Sequence, residues 1–116
     1  MPDLVESTLT QCRCTSFCPP GWLHILRAVL LVAPKGIVFA QIKEKFGGLR
    51  IYVDSFAEDT PEEEKDSYQR QLRFAEFFSR ITCQDCAKPA DVDYETKPGR
   101  YIRTLCEDCR KKRDTN

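Results

Sequence analysis

The chain has 116 residues, 41% of them hydrophobic, and a formal net charge of zero from 18 basic and 18 acidic side chains. This length predicts a single domain whose modest core is marginal without a further stabilising element. Proteins that follow the phosphate backbone of a nucleic acid usually carry a clear positive excess. The balanced charge therefore favours a protein partner, although it leaves room for a local basic patch.

Three features predict the location of the protein. The first residues lack the basic start and the apolar run of a signal peptide. The most apolar stretch, residues 22–33, is interrupted by His24 and Arg27 and is too short to span a bilayer. Seven cysteines, an odd number, suit a reducing compartment. We therefore expect a cytoplasmic protein that does not enter a membrane.

The N-terminal part of the chain predicts one helix. Residues 1–18 are polar, and we expect them to be irregular. The Pro-Pro-Gly sequence at 19–21 then opens a helix, because proline is tolerated in a first turn. Apolar residues recur at helical spacing over 22–32, and the Pro-Lys-Gly sequence at 34–36 ends the helix.

Two β-like runs follow, over residues 37–43 and 49–54. In the second run apolar and polar residues alternate, which is typical of a half-buried strand. Gly47 and Gly48 lie between the runs and supply the positive φ that a tight turn requires. The pattern predicts a β-hairpin, whose outer edge leaves open a homodimer by strand pairing.

A second, longer helix is predicted from residue 60 onwards. Thr60 is the expected N-cap, with Pro61 at the first helical position and Glu63 at the third. The helix ends directly at the first cysteine pair. We therefore expect the helix to anchor that pair to the core. The apolar residues of the helix form a wide stripe: Tyr68, Leu72, Phe74, Ala75, Phe77, Phe78 and Ile81.

Two Cys-x2-Cys pairs predict a metal site near the C-terminus. Cys83 and Cys86 are separated from Cys106 and Cys109 by nineteen residues, a spacing that matches four-cysteine zinc sites. Each pair supplies two thiolates from one tight turn, whose backbone amides can point at the sulfurs. Four protein ligands leave no open coordination position, so we expect one structural Zn²⁺ ion. Two disulfides, a redox pair and free thiols are the less favoured alternatives.

A second metal site is a weaker prediction. Cys12, Cys14, Cys18 and His24 could supply three thiolates and one imidazole to a second zinc ion. A cluster of free thiols and a disulfide formed during purification are the alternatives.

These elements predict a small α+β domain with an N-terminal helix, a β-hairpin, a long second helix and a C-terminal zinc ribbon or knuckle. The predicted segments are an N-terminal cysteine-containing segment (1–18), a helix-hairpin-helix core (19–81), a zinc-binding module (82–111) and a basic tail (112–116). Residues 110–113 are all basic, and we expect them to fray.

The chain resembles a family of small zinc-knuckle proteins from tailed bacteriophages and bacterial genomes. The resemblance covers about residues 18–109. It rests on Cys18, Gly21-Trp22, the Ile-Lys-Glu-Lys-Phe-Gly-Gly-Leu-Arg run at 42–50, the first cysteine pair, and Arg103-Thr104-Leu105-Cys106. Many relatives carry histidine at the position of Cys109, an exchange that zinc ligands tolerate. The resemblance implies an α+β fold and a phage or mobile-element setting, hence the host cytoplasm, and no defined activity.

Two functions are compatible with these patterns. The first is a non-enzymatic protein binder, such as a phage- or bacterium-encoded inhibitor or immunity protein that modulates a larger protein. The second is a nucleic-acid-binding zinc ribbon with a basic and aromatic patch. Enzyme activity is not expected, because His24 is the one histidine and no nucleophile has an evident base. The candidate partner surface consists of Lys43, Lys45, Arg50, Tyr52, Arg100 and Arg103.

Overall fold

The computed structural model describes residues 3–93 and 102–114. It confirms the small α+β fold with a hairpin, a long helix and a C-terminal cluster of four cysteines. In chain order the elements are α1 (Leu4–Gln11), a 3-10 turn (Pro20–Trp22), α2 (Leu23–Leu31), β1 (Val38–Lys45), β2 (Gly48–Ser55), α3 (Glu62–Ser79), β3 (Asp91–Asp93), β4 (Arg103–Leu105) and α4 (Glu107–Asp114). No helix in this described part combines the length and the apolar character needed to cross a bilayer.

The N-terminal segment is helical and not irregular as predicted. Asp3 precedes α1, and its carboxylate accepts a hydrogen bond from the Val5 amide at 3.4 Å. The chain then runs beside β1, where the amides of Cys14 and Phe17 each donate to a β1 carbonyl at 2.9 Å. Because these bonds use part of the β1 edge, that part is covered by the chain itself.

The two long strands form an antiparallel hairpin with a two-residue turn. Lys45 pairs with Gly48, so the turn consists of Phe46 and Gly47. Both have positive φ, 53° and 80°, as a type I′ turn requires. The predicted hairpin is present, with its turn one residue earlier than the Gly-Gly pair suggested. Phe46 is a bulky residue in a backbone conformation that usually favours glycine or asparagine.

The hydrophobic core lies between the hairpin, α2 and α3. Trp22, Leu26, Ile42 and Leu49 have no solvent exposure. The complete set of buried core residues is Val5, Cys18, Trp22, Ile25, Leu26, Val29, Leu30, Phe39, Ile42, Leu49, Tyr68, Leu72 and Ala75. A second, smaller cluster surrounds the cysteines.

The start of α3 differs from the prediction by one residue. The helix begins at Glu62, and Pro61 occupies the N-cap position in an extended conformation without a side-chain cap. Thr60 belongs to the preceding turn, because its amide donates to the carbonyl of Ala57 at 3.0 Å. The acidic first turn, Glu62 to Glu64, is present and complements the helix dipole.

The apolar stripe of α3 is only partly buried. Tyr68, Leu72 and Ala75 face the core as predicted, together with Ser79. The other apolar residues of the stripe are exposed, and Ile81 lies two residues beyond the end of the helix. Their exposed fractions are 68% for Phe74, 64% for Phe77, 40% for Phe78 and 45% for Ile81.

Tyr68 joins α3 to α2. Its hydroxyl donates to the carbonyl of Val29 at 2.7 Å, in the last turn of α2, and burial raises the pKa of the phenol. We expect Tyr68→Phe to lower the free energy of unfolding by about 1–2 kcal/mol, because the buried carbonyl loses its partner. Urea denaturation of both proteins measures this difference. Equal stabilities would mean that the hydrogen bond makes no net contribution.

Candidate metal centre

The four predicted ligands meet in one compact cluster. The Sγ atoms of Cys83, Cys86, Cys106 and Cys109 all lie within 4.8 Å of one another, and the Cys86 and Cys106 sulfurs are 3.5 Å apart. No pair is bonded as a disulfide. Four thiolates around one ion at about 2.3 Å lie about 3.8 Å from each other. The chemistry and spacing of these donors therefore fit one metal ion, and the disulfide alternative is not adopted.

The first cysteine pair forms a tight turn that closes on its own backbone. The Cys83 amide donates to the Lys88 carbonyl at 2.7 Å, and the Ala87 amide donates to the Cys83 carbonyl at 2.9 Å. Ala87 has φ of 72°, which completes the reversal of the chain. The turn places Cys83 inside the protein and Cys86 at the surface.

Backbone amides surround the buried sulfur of this pair. Burial alone would raise the pKa of Cys83, but the amides of Cys106, Cys86 and Asp85 together lower it to about 7. Burial and the neighbouring thiols raise the pKa of Cys109. One sulfur is thus stabilised as an anion, as predicted for a Cys-x2-Cys turn, and the group as a whole is suited to a cation.

The second cysteine pair is held by a strand and a helix. β4 pairs with β3 and ends immediately before Cys106, and α4 begins directly after it. Cys106 and Cys109 therefore lie at the N-terminal end of α4, where the helix dipole favours negative charge. The predicted strand that leads to Cys106 is present.

The basic residues near the C-terminus are ordered in α4, contrary to the expected fraying. Arg113 makes two hydrogen bonds to the carboxylate of Asp85, at 2.6 and 2.9 Å. Lys111 pairs with Glu107 at 3.2 Å. The Arg113 contact joins α4 back to the first cysteine pair, so both halves of the cluster are tied together.

A junction of buried polar groups connects the cysteine cluster to the core. Within the described residues, the buried polar side chains are Ser79, Thr82, Gln84 and Thr104. Thr104 donates from its amide to the Gln84 side chain at 3.1 Å and from its hydroxyl to the Gly47 carbonyl at 2.6 Å. It therefore binds the hairpin turn to the first cysteine pair.

The 3-10 turn contacts the cysteine cluster from the other side. The Gly21 amide donates to the Gln84 carbonyl at 2.7 Å, and the Trp22 indole donates to the Thr82 carbonyl at 2.8 Å. Sequence reasoning did not assign any role to Gln84 or Thr104. Several residues of the resemblance motif, including Gly21, Trp22 and Thr104, lie in this junction.

The second predicted metal site is not assembled. Among the described residues, the four-cysteine cluster is the group of metal-binding side chains that meet closely enough to share an ion. Cys14 and His24 are exposed and Cys18 is buried, with its pKa raised by burial to about 12. The Cys12 thiol donates to the Thr8 carbonyl at 3.3 Å. We therefore expect elemental analysis to find one metal ion per chain. Two ions per chain would support the second metal site after all.

Comparison with known proteins adds no family to this description. No protein-family model, no curated protein and no solved structure matches the chain. The proposed resemblance to phage and bacterial zinc-knuckle proteins therefore stays a prediction.

Four residues of the predicted partner surface lie on one face of the hairpin: Lys43, Lys45, Arg50 and Tyr52. Lys43 and Lys45 stand near the rings of Tyr52 and Phe46, at 5.9 and 5.8 Å. Arg50 instead pairs with Glu76 of α3 at 3.2 Å and is about two-thirds buried. The remaining two residues are Arg103, half-buried in β4, and Arg100, which lies outside the described residues.

Ala87 offers a test of the cluster's geometry. An L-residue with φ of 72° is strained, and glycine is not. We expect Ala87→Gly to raise the free energy of unfolding of the metal-loaded protein by about 0.5–1 kcal/mol. Denaturation under saturating metal measures the change. The control is Ala28→Gly at an exposed position of α2, which should lower the free energy of unfolding by about 1 kcal/mol. Destabilisation by Ala87→Gly would contradict the positive φ.

Proposed function

We propose that this chain is a zinc-stabilised, non-enzymatic module that binds another protein. The four cysteines hold one structural Zn²⁺, because a closed set of four thiolates is the ligand set of structural zinc sites. Such a site has no position for a substrate or an activated water, so the ion stabilises the fold and takes no part in chemistry. The resemblance adds the proposal that the partner is a larger host protein and that this chain modulates it as an inhibitor or immunity protein.

The remaining thiols and the histidine support a non-enzymatic function. Reactive cysteines have lowered pKa values, whereas burial raises the pKa of Cys18 to about 12. His24 is exposed on α2, and no described cysteine shares a metal-sized cluster with it. The thiols of Cys12 and Cys18 donate to backbone carbonyls and not to His24, so neither is activated by this imidazole.

One observation carries the proposal of protein binding. Phe74 and Phe77 expose 68% and 64% of their surface near the C-terminal end of α3, where Phe78 and, just after the helix, Ile81 are also exposed. Soluble monomers rarely expose a contiguous apolar patch, and such patches mark surfaces that bind other molecules. Aromatic side chains are also frequent anchors in protein interfaces.

Nucleic-acid binding is the second candidate. The stacked pairs Lys43 with Tyr52 and Lys45 with Phe46 favour it, because single strands bind to basic grooves with aromatic side chains. Other basic residues are engaged by carboxylates, including Arg50 by Glu76 and Arg113 by Asp85. This pairing lowers the positive potential that a phosphate backbone would meet.

A pull-down from bacterial lysate separates the two functions. Tagged, zinc-loaded protein is incubated with lysate that has or has not been treated with nuclease, and bound proteins are identified by mass spectrometry. We expect one dominant protein that survives nuclease treatment and binds the purified chain directly. A bound set that disappears with nuclease, together with direct binding of single-stranded DNA or RNA, would favour the second function.

A further inference from the structure

An apolar groove lies between α2 and α3, away from the cysteine cluster. Its volume is about 400 Å³, and it is open along the surface. Ala28, Val29 and Val32 line it from α2, and Phe74, Ala75 and Phe78 line it from α3. Val32 is 59% exposed, and the apolar surface continues over the exposed Phe77. A groove between two helices is a common binding site for a third helix.

No acidic side chain lines the groove, and exposed arginines lie near it. The lining residues of α2 and α3 include no aspartate or glutamate. Arg70 precedes Phe74 by one turn of α3, and Arg73 precedes Phe77 by one turn. Both arginines are exposed, and neither forms an ion pair with a described residue. Arg27 lies on the α2 side, with a distant partner in Asp3 at 3.9 Å.

The acidic residues of α3 lie elsewhere. Glu62, Glu63, Glu64 and Asp66 belong to its first two turns. Glu76 is the remaining acidic residue of the helix and pairs with Arg50 and Arg80, at 3.2 and 3.5 Å. The stretch of α3 that borders the groove therefore presents cations beside an apolar surface.

We propose that this groove binds an amphipathic helix of a partner protein, with large apolar side chains on one face and acidic residues on its flanks. The proposal rests on the proposed protein-binding function and specifies its site. The apolar face of the partner helix would cover Phe74 and Phe78. Its apolar residues would follow the i, i+3, i+4 and i+7 spacing of helices that bind in grooves. The acidic flanks would meet Arg70 and Arg73, which gives specificity and faster association.

A second copy of the chain is the less suitable occupant. In a two-fold dimer the same patch lies on both sides of the interface. The residues that line the groove carry no carboxylate that could pair with the arginines of the other copy, and Glu76 is already paired with Arg50 and Arg80. Two such surfaces would bring like charges together, whereas an acidic helix neutralises them.

Peptide display on the full-length, zinc-loaded chain tests the proposal. The library contains peptides of about 18 residues, five helical turns, with leucine or phenylalanine at helix-in-groove spacing. The other positions are random mixtures of glutamate, lysine and glutamine. We expect the enriched peptides to contain a clear excess of glutamate over lysine. No enrichment, or no preference between these two residues, would overturn the proposal.

Matched variants locate the binding site. Phe74→Ser is expected to lower the affinity for the enriched peptides about 30-fold or more, because an interface anchor is lost. Phe17→Ser removes an equally exposed phenylalanine, 63% against 68%, outside the groove and should leave the affinity unchanged. Arg70→Glu with Arg73→Glu should reverse the preference to lysine-rich peptides, and this variant also decides the question if Phe74→Ser does not fold. Binding unaffected by both groove variants would overturn the proposal.

Two further results separate this inference from the proposed function. A nuclease-resistant protein partner that binds Phe74→Ser as tightly as the wild type would leave the function standing and overturn the groove as its site. Sedimentation equilibrium could instead show that the wild type forms a dimer at micromolar concentration and that Phe74→Ser dissociates this dimer. That result would assign the groove to a second copy of the chain and would overturn the proposed partner helix. Nucleic-acid binding in the pull-down would instead remove the proposed function itself.

Discussion

Cys83→Ser is expected to leave the chain largely unfolded under conditions in which the wild type is folded with zinc. The variant loses one of four ligands, and the buried position of Cys83 would then hold a hydroxyl that binds zinc poorly. Structural zinc contributes about 10–16 kcal/mol of apparent binding free energy in small domains. That is comparable to the about 5–15 kcal/mol by which whole domains are stable.

Far-UV circular dichroism and thermal unfolding of the purified variant measure this loss. Cys14→Ser is the matched control, because it removes an exposed thiol outside the cluster and should keep both zinc and fold. Removal of zinc from the wild type with a strong chelator should give the same unfolded spectrum, and added zinc should restore the folded one. A cooperatively folded, zinc-free Cys83→Ser protein would contradict a structural metal site.

The metal centre could be predicted from the sequence because its signal is local. A Cys-x2-Cys pair occupies one turn, so the spacing alone brings two sulfurs together, and the structure adds only the meeting of the two pairs. The hairpin was predictable for the same reason, since alternation and turn glycines are neighbours in the chain. Its turn is displaced by one residue because Phe46 adopts the positive φ that was assigned to Gly48.

The outer face of α3 could not be predicted from its pattern. Seven apolar positions form a stripe wider than the single face that packs on α2 and the hairpin. Periodicity identifies such a stripe without dividing it between the core and a binding surface. The helix α1, in contrast, left a readable signal: Asp3 followed three residues later by Glu6 is a capping box pattern.

The polar junction was not visible in the sequence because its partners are far apart. Thr104 reaches Gly47 across 57 residues and Gln84 across 20 residues. Neither residue carries a periodic signal, and the resemblance motif that includes Thr104 does not indicate its hydrogen-bond partners. Only the three-dimensional arrangement shows that the hairpin turn, the end of α3 and the cysteine cluster meet at one place.

Gly21→Ala tests whether this junction couples the core to the metal centre. A Cβ atom at Gly21 would overlap the carbonyl oxygen of Cys83 and would lie 2.6 Å from the carbonyl carbon of Gln84. Both neighbours are backbone atoms of the cysteine turn, so neither can rotate away. The Gly21 amide would also lose its 2.7 Å hydrogen bond to Gln84 if the two segments separated.

We expect Gly21→Ala to lower the free energy of unfolding of the zinc-loaded protein by about 3 kcal/mol, the upper end of the usual range for overpacking, because the neighbouring atoms belong to the backbone. The same displacement should move the Cys83 sulfur and accelerate the transfer of zinc to a competing chelator. Urea denaturation and the rate of zinc transfer measure the two effects on one sample.

Gly48→Ala is the control for this variant. Gly48 is also buried, but an added Cβ there would meet only the flexible side chain of Arg80, at 3.0–3.1 Å. The guanidinium can move at the expense of its 3.1 Å hydrogen bond to the Phe46 carbonyl, so we expect a loss of about 1 kcal/mol and unchanged zinc transfer. If both glycine variants lost equal stability and kept zinc equally well, the 3-10 turn would be a packing element of the core alone. A larger effect of Gly21→Ala on both measurements is what a rigid connection between Trp22 and the cysteine turn requires, because the strain can relax only by shifting the metal ligand.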